Sequence, residues 1–193
     1  HPSVSNSAGV VTSSSTAADL GKAVHAGLEQ YRLSGWRDGA DTGVYLLEPA
    51  MEVMRSHLIA DAEMMSYEAE LDELTVVGEK LITAYDEERP GSLTDWRLLG
   101  DNGIPLVERE YAIPILGGRF LYTVKTDAMV QRANPPAGRA VDYKTKSYRY
   151  LNDFIRATPL LGQGWGEVAV LHVFFPHLNI DGMQYELLIK DRG

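Results

Sequence analysis

The segment from Phe120 to Lys144 constrains the fold most, because it contains two strand-like runs separated by a Pro-Pro-Ala-Gly turn. The first run ends at an acidic residue, Asp127, and the second delivers Asp142, Tyr143 and Lys144. If the two runs pair as antiparallel strands, both aspartates come to the same end of a sheet. Residues two apart on a strand point the same way, so Lys144 shares the face of Asp142.

Two carboxylates and one ammonium on one face can bind a divalent cation and hold a nearby anion. This arrangement indicates phosphodiester chemistry. Each residue also has a simpler interpretation. Asp127 would serve equally as a strand-end residue that accepts backbone N–H bonds in the turn, and Asp142 with Lys144 would form an exposed ion pair worth little stability.

Three further motifs stand in order with these residues. Gly21 to Glu29 reads Gly-x-x-x-His-x-x-x-Glu and places His25 and Glu29 one helical turn apart. Residues 142–145 read Asp-Tyr-Lys-Thr, and Gln163 follows the lysine by 19 positions. In this order and spacing the motifs resemble the PD-(D/E)xK nuclease superfamily, in its RecB-type, CRISPR-adaptation and phage exonuclease branch.

The resemblance implies roles for these residues. His25, Asp127, Asp142 and the backbone carbonyl of Tyr143 would hold one or two Mg²⁺ or Mn²⁺ ions, and Lys144 would orient or activate the attacking water. Gln163 would brace the site and contact DNA. The chain departs from the family pattern at two positions: Val124 replaces a glycine three residues before Asp127, and Glu167 replaces a tyrosine four residues after Gln163.

Basic and aromatic side chains follow the predicted site. We expect phosphate contacts from Lys146, Arg149 and Arg156, and base stacking from Tyr148. Ordinary packing between strand and helix would account for the tyrosine equally well.

Periodicity predicts the remaining elements. A helix is expected over residues 16–33, and a helical region over about 46–86, divided near Ser66 or Gly78. Strands follow near 106–113, 120–130 and 139–145, then a mixed helical region, and a closing strand at 183–189. The sequence thus predicts an α/β (α+β) fold with a restriction-endonuclease-like core, a mixed sheet flanked by helices. Residues 1–15 would form a flexible segment and 16–193 a single domain with a helical insertion at about 46–90.

Composition excludes some chemistry. The chain has no cysteine, so it forms no disulfide and lacks the four-cysteine iron–sulfur cluster found in several relatives of this branch. Its formal net charge of −9 argues against a broad non-specific nucleic-acid surface, although a local basic groove and bound cations can offset a negative average. No apolar run is long enough to cross a bilayer, so a cytoplasmic protein is expected.

The sequence therefore predicts a metal-dependent DNA exonuclease that acts on linear ends in recombination, repair or phage DNA processing. The alternative is a catalytically inactive protein of the same fold that binds nucleic acid or a protein partner. A third interpretation is an unrelated binding domain in which Asp-x-Lys is coincidental. A homo-oligomer, or a recombination or helicase partner, is left open.

Overall fold

The computed structural model describes residues 14–65, 68–88, 96–133, 136–158 and 162–189. Of the predicted flexible segment at residues 1–15, residues 1–13 lie outside these ranges. Helix α1 spans Ser14–Ser34. Its buried face carries Leu20, Val24, Leu28 and Tyr31, at the three- and four-residue spacing that puts side chains on one side of a helix. The hydroxyl of Ser34 closes α1 by donating to the carbonyl of Tyr31.

A pair of helices follows, as predicted for the insertion. Helix α2 spans Leu47–Met65, a short 3-10 turn covers Glu68–Glu70, and helix α3 spans Leu71–Glu88. The helical region therefore divides between Met65 and Glu68; Ser66 itself lies outside the described residues, and the alternative at Gly78 is wrong. Gly78 is buried inside α3, and a Cβ built there would lie 2.7 Å from the sulfur of Met54 on α2. The two helices pack closely at that point.

Two pairs of short strands lie outside the main sheet. Strands β1 (Trp36–Arg37) and β2 (Ala40–Asp41) pair, as do β4 (Gly100–Asp101) and β5 (Ile104–Pro105). The main sheet contains β3 (Trp96–Leu98), β6 (Val107–Ile115), β7 (Phe120–Ala133), β8 (Pro136–Lys146) and β9 (Ile180–Ile189). The sheet is mixed: β7 lies antiparallel to both β6 and β8, while β9 lies parallel to β8.

Helices lie on both sides of this sheet. One buried cluster joins α1, α2 and α3 to residues of β7 and β8 such as Val130 and Tyr143. A second joins Met129 and Ala140 to helix α5 (Gly162–Phe174), through Val170 and Leu171. A 3-10 turn at Tyr148–Tyr150 and helix α4 (Leu151–Ala157) connect β8 to α5. The predicted mixed α/β fold, with a mixed sheet flanked by helices, is confirmed.

Several boundaries differ from the prediction, among them the start of β8. Strand β8 begins at Pro136, so Pro136, Ala137 and Gly138 belong to the strand rather than to the turn; residues 134 and 135 lie outside the described residues. Gly138 permits this course because Ile180 of β9 passes within 3.0 Å of where its Cβ would be. The run Val168–Phe175, compatible with helix or strand, is helical to Phe174.

Candidate active site at the parting of two strands

Strand β7 loses its pairing with β8 at Asp127, while its pairing with β6 continues. Its pairing with β8 runs from Ala133–Pro136 to Ala128–Val141, and its pairing with β6 runs from Val107–Ala128 to Ile115–Phe120. Beyond Val141, β8 continues alongside β9 to Lys146. The two central strands therefore separate immediately after the rung that Ala128 and Val141 form.

Asp127 fills the point of separation. Its carboxylate accepts a hydrogen bond from the backbone N–H of Tyr143 at 2.7 Å. A side chain thus satisfies a strand N–H as the two strands diverge, which keeps a buried backbone donor paired. This contact fits the simpler interpretation of Asp127, as an acceptor of backbone N–H bonds, and it also brings the aspartate beside residues 142–144.

Asp142 and Lys144 share one face of β8, as predicted. The ammonium of Lys144 donates to one oxygen of Asp142 at 2.6 Å. Asp142 is 6% exposed, and its second carboxylate oxygen is buried without a hydrogen-bond partner. A buried carboxylate oxygen with no donor is costly, so this atom is available for a ligand.

His25 reaches the same place from α1. Its Nδ1 lies 3.7 Å from the nearer carboxylate oxygen of Asp127, too far for a hydrogen bond but close enough for both atoms to contact one ligand. The ring packs edge-on against Tyr143, with the ring centroids 5.9 Å apart. The structure thus brings His25, Asp127, Asp142 and Lys144 into one site, with Tyr143 on the strand between the last two.

Burial and crowding change the protonation of this site. The pKa of Asp127 is raised to about 7, chiefly by burial; the bond from Tyr143 opposes the shift, and the nearby charge of Asp142 adds to it. The pKa of His25 is lowered, first by burial and then by the Lys144 ammonium. The histidine therefore tends to be neutral near pH 7, the form that ligates metals.

A buried charged network contacts β8 at the side chain of Tyr143. Arg32 of α1, 1% exposed, pairs with Glu186 of β9 at 3.1 Å and donates through Nε to the hydroxyl of Tyr143 at 3.2 Å. The hydroxyl of Tyr85 on α3 accepts from Arg32 and donates to Glu186. This network, together with the 2.7 Å bond to Asp127, fixes both the side chain and the backbone of Tyr143.

Sequence reasoning missed Glu108, a residue beside the site. Glu108 lies in β6 between residues that pair with Ala128 and Thr126, which places it across from Asp127, and it ion-pairs with Lys125. Its backbone has φ 50°, in the left-handed region that is unfavourable for a residue with a side chain. No residue type or spacing signals such a conformation. Glu29 is close enough to Glu108 that this charge, after burial, raises the pKa of Glu29.

The other predicted residues lie around this centre. Lys146 is half-buried, with its ammonium 5.1 Å from the ring centre of Phe154, while Tyr148, Arg149 and Arg156 are exposed on the 3-10 turn and α4. Gln163 lies in the first turn of α5. Of the two departures from the family pattern, Val124 is buried in β7 and Glu167, on α5, is 2% exposed.

Within the described ranges, no three His, Asp or Glu side chains are grouped closely enough to form a metal shell as they stand. The donor types nevertheless suit a hard divalent cation, since imidazole and carboxylates are ligands of Mn²⁺ and carboxylates of Mg²⁺. The buried unpartnered oxygen of Asp142 and the raised pKa of Asp127 are both features that a bound cation would relieve.

Comparisons with protein-family models, with curated proteins and with solved structures find no match to this chain. Among the helices that the structure describes, none is long and apolar enough to span a membrane.

Proposed function

We propose that this protein is a metal-dependent deoxyribonuclease that hydrolyses phosphodiester bonds at linear DNA ends, and that its core is restriction-endonuclease-like. One observation carries the proposal: His25, Asp127, Asp142 and Lys144 meet where β7 and β8 separate. The order of elements supports the core: helix α1, the antiparallel strands β6, β7 and β8, helix α5, then β9 parallel to β8.

Each residue has a chemical role in this proposal. His25, Asp127, Asp142 and the Tyr143 carbonyl would hold one or two Mg²⁺ or Mn²⁺ ions, which when bound supply Lewis acidity and a more acidic water. Lys144 orients the water that attacks the phosphate and stabilises the negative charge that develops on it. The DNA strand beyond the site would contact Lys146, Arg149, Arg156 and Tyr148. Gln163, in the first turn of α5, would brace the site and contact DNA.

The charge of the site supports a need for cations. Four carboxylates, from Glu29, Glu108, Asp127 and Asp142, face the two ammonium groups of Lys125 and Lys144. The excess of negative charge would repel a phosphodiester. Divalent cations reverse that balance, so cleavage should depend on them completely.

Labelled DNA tests the proposal. Linear DNA carrying a 5′ or a 3′ label would be incubated with the protein and Mn²⁺, Mg²⁺ or EDTA, using Lys144→Met as the test variant. We expect cleavage only with metal and a loss of about 10²–10³-fold in the variant, as for removal of one electrostatic catalytic group. Lys80→Met, an exposed lysine of α3, is the control. Cleavage in EDTA, or full activity in Lys144→Met, contradicts the proposal.

A catalytically inactive binding protein of the same fold is the second candidate. The net charge of −9, Val124 and the buried Glu167 favour it, because the last two depart from the pattern of the active family. DNA binding without cleavage in either metal would select this candidate.

A further inference from the structure

A cavity of about 260 Å³ lies beside the site, between the start of α5 and the outer strand β9. Its walls include Gly164, Trp165 and Val168 of α5, and Met183 and Tyr185 of β9. Trp165, which lines this cavity, is 73% exposed. A Cβ built on Gly164 would lie 2.9 Å from the Tyr185 hydroxyl, so glycine lets this hydroxyl approach the backbone of α5.

The parallel register of β8 and β9 places the cavity next to Asp142 and Lys144. Tyr185 of β9 is the parallel partner of Asp142, and Met183 is the partner of Ala140. Paired residues of neighbouring strands lie on the same face about 4.8 Å apart, so Tyr185 stands on the face that carries Asp142 and Lys144. The charge of Asp142 contributes, after burial, to raising the pKa of Tyr185, as expected for neighbours.

Size and chemistry restrict the occupant. A volume of 260 Å³ equals the liquid share of roughly nine waters at about 30 Å³ each, the size of one heterocyclic ring system and less than a base pair. Trp165 offers a flat aromatic surface, Val168 and Met183 offer apolar contact, and the Tyr185 hydroxyl can donate or accept a hydrogen bond. Stacking with one polar contact is how proteins bind unpaired bases.

We propose that this cavity, here called the Trp165 cavity, binds one unpaired nucleobase of the nucleotide next to the phosphate held at Asp142 and Lys144. The proposal rests on the proposed function and extends it to the substrate. A base must leave its duplex to enter, so the protein acts on single-stranded DNA or on frayed ends. Trp165 stacks on the base and is a specificity residue rather than a catalytic one.

Binding to uncleaved DNA tests this proposal without relying on activity. With Mn²⁺ present, Lys144→Met protein would be titrated into fluorescein-labelled single strands, which this variant should cleave at least about 10²-fold more slowly than the wild type. Trp165→Ala in that background should weaken binding about ten- to a hundredfold, the usual range for loss of one stacked base. Oligonucleotides with one abasic position, moved along the strand, supply the second arm of a double-mutant cycle.

The cycle has a definite expected result. At one abasic position, wild-type Trp165 and Trp165→Ala should bind equally weakly, and blunt duplex should bind more weakly than single strands. Val173→Ala, at another exposed position of α5, is the matched control and should change nothing. Equal losses of affinity from Trp165→Ala on intact and abasic strands would overturn the proposal. A changed oligomeric state of Trp165→Ala in sedimentation would also overturn it, because the cavity would then bind a second copy of the chain.

The two proposals fail separately. Metal-dependent cleavage without coupling between Trp165 and an abasic position would leave the nuclease and remove the base-binding cavity. Coupling without cleavage by the wild type would leave a single-strand binding site and remove the enzyme. The absence of any DNA binding would remove both.

Discussion

The carboxylate of Asp127 accepts the backbone N–H of Tyr143 at 2.7 Å, one residue pair beyond the last rung that joins β7 and β8. The same carboxylate lies 3.7 Å from the imidazole of His25. Asp127 therefore both replaces a strand partner and contributes to the candidate site. The first prediction tests Asp127 in the metal-free protein, and the second tests the metal site beside it.

Asp127→Asn should stabilise the metal-free protein at alkaline pH. The folded state holds the Asp127 proton up to a pKa of about 7, whereas the ordinary value is 3.8, so the folded state binds more protons within this window. Raising the pH through it removes stability, on the order of a few kcal/mol. Asparagine is never charged and keeps an oxygen for the Tyr143 N–H. In urea denaturation, the free energy of unfolding should therefore be higher for the variant than for the wild type at pH 8, and equal for the two below pH 4. Asp153→Asn, exposed on α4, is the control; an equal gain at both pH values contradicts the explanation.

Mn²⁺ should raise the melting temperature of the wild type and not that of Asp142→Asn. A ligand that binds only the folded state adds about 2.7 kcal/mol at a hundredfold excess over its Kd. The variant loses the buried oxygen that has no hydrogen-bond partner in the protein. Thermal unfolding at pH 8 over a Mn²⁺ series measures this, and Asp181→Asn, a surface residue of β9 paired with Arg139, serves as the control. An identical shift in wild type and Asp142→Asn would remove Asp142 from the metal site.

Glu108→Gly should be more stable than Glu108→Ala by about 1 kcal/mol. The position has φ 50°, where a residue with a Cβ pays roughly 1–2 kcal/mol and glycine does not. Glu110 lies in the same strand, and the order should reverse there, with glycine about 0.5–1 kcal/mol less stable than alanine. Chemical denaturation of the four variants checks both. If alanine were more stable than glycine at both positions, Glu108 would carry no backbone strain.

Arg32→Met should destabilise the fold by about 3–5 kcal/mol, since it leaves the Glu186 carboxylate buried without its cation. Replacing both residues with methionine should cost less than Arg32→Met alone. The control is Arg55→Met, whose pairs with Glu48 and Glu79 are at the surface and worth about 0–1 kcal/mol. Urea denaturation of the single and double variants measures the coupling between Arg32 and Glu186. Strictly additive losses of stability would contradict a coupled buried pair.

Gly27→Ala should destabilise the protein by about 1–3 kcal/mol, even though alanine favours helices. A Cβ at Gly27 would lie 2.6 Å from Ile82 of α3 and 2.9 Å from the Ala50 carbonyl of α2. Ala26→Gly, at the neighbouring position of α1, should lose about 1 kcal/mol from propensity alone, which calibrates the helix. A gain in stability from Gly27→Ala would show that the three helices pack less tightly than the structure indicates.

Local patterns predict the parts of this molecule that depend on neighbours in sequence. Asp142 and Lys144 are two residues apart on one strand, and an antiparallel hairpin necessarily returns to Asp127, so alternation alone brings these three together. His25 lies on a helix that contacts the sheet, and only the family resemblance indicated which strand its side chain would reach.

The features that were not predicted depend on distant pairings. Tyr185 lies beside Asp142 through a parallel register that no turn fixes, and Arg32 is buried because three hydroxyl or carboxylate groups from α3, β8 and β9 surround it. A lone arginine or tyrosine in the sequence carries no sign of either environment. The left-handed backbone at Glu108 is likewise set by where β6 meets β7.

The pairing of Arg32 with Glu186 also has a consequence for how the chain is made. The two residues are 154 positions apart, so as the chain leaves the ribosome the guanidinium of α1 lacks this carboxylate until Glu186 has been synthesised. Burying it earlier would leave an uncompensated charge in an apolar interior. The helices can form during translation, but the burial of Arg32 between α1 and the sheet must wait for β9.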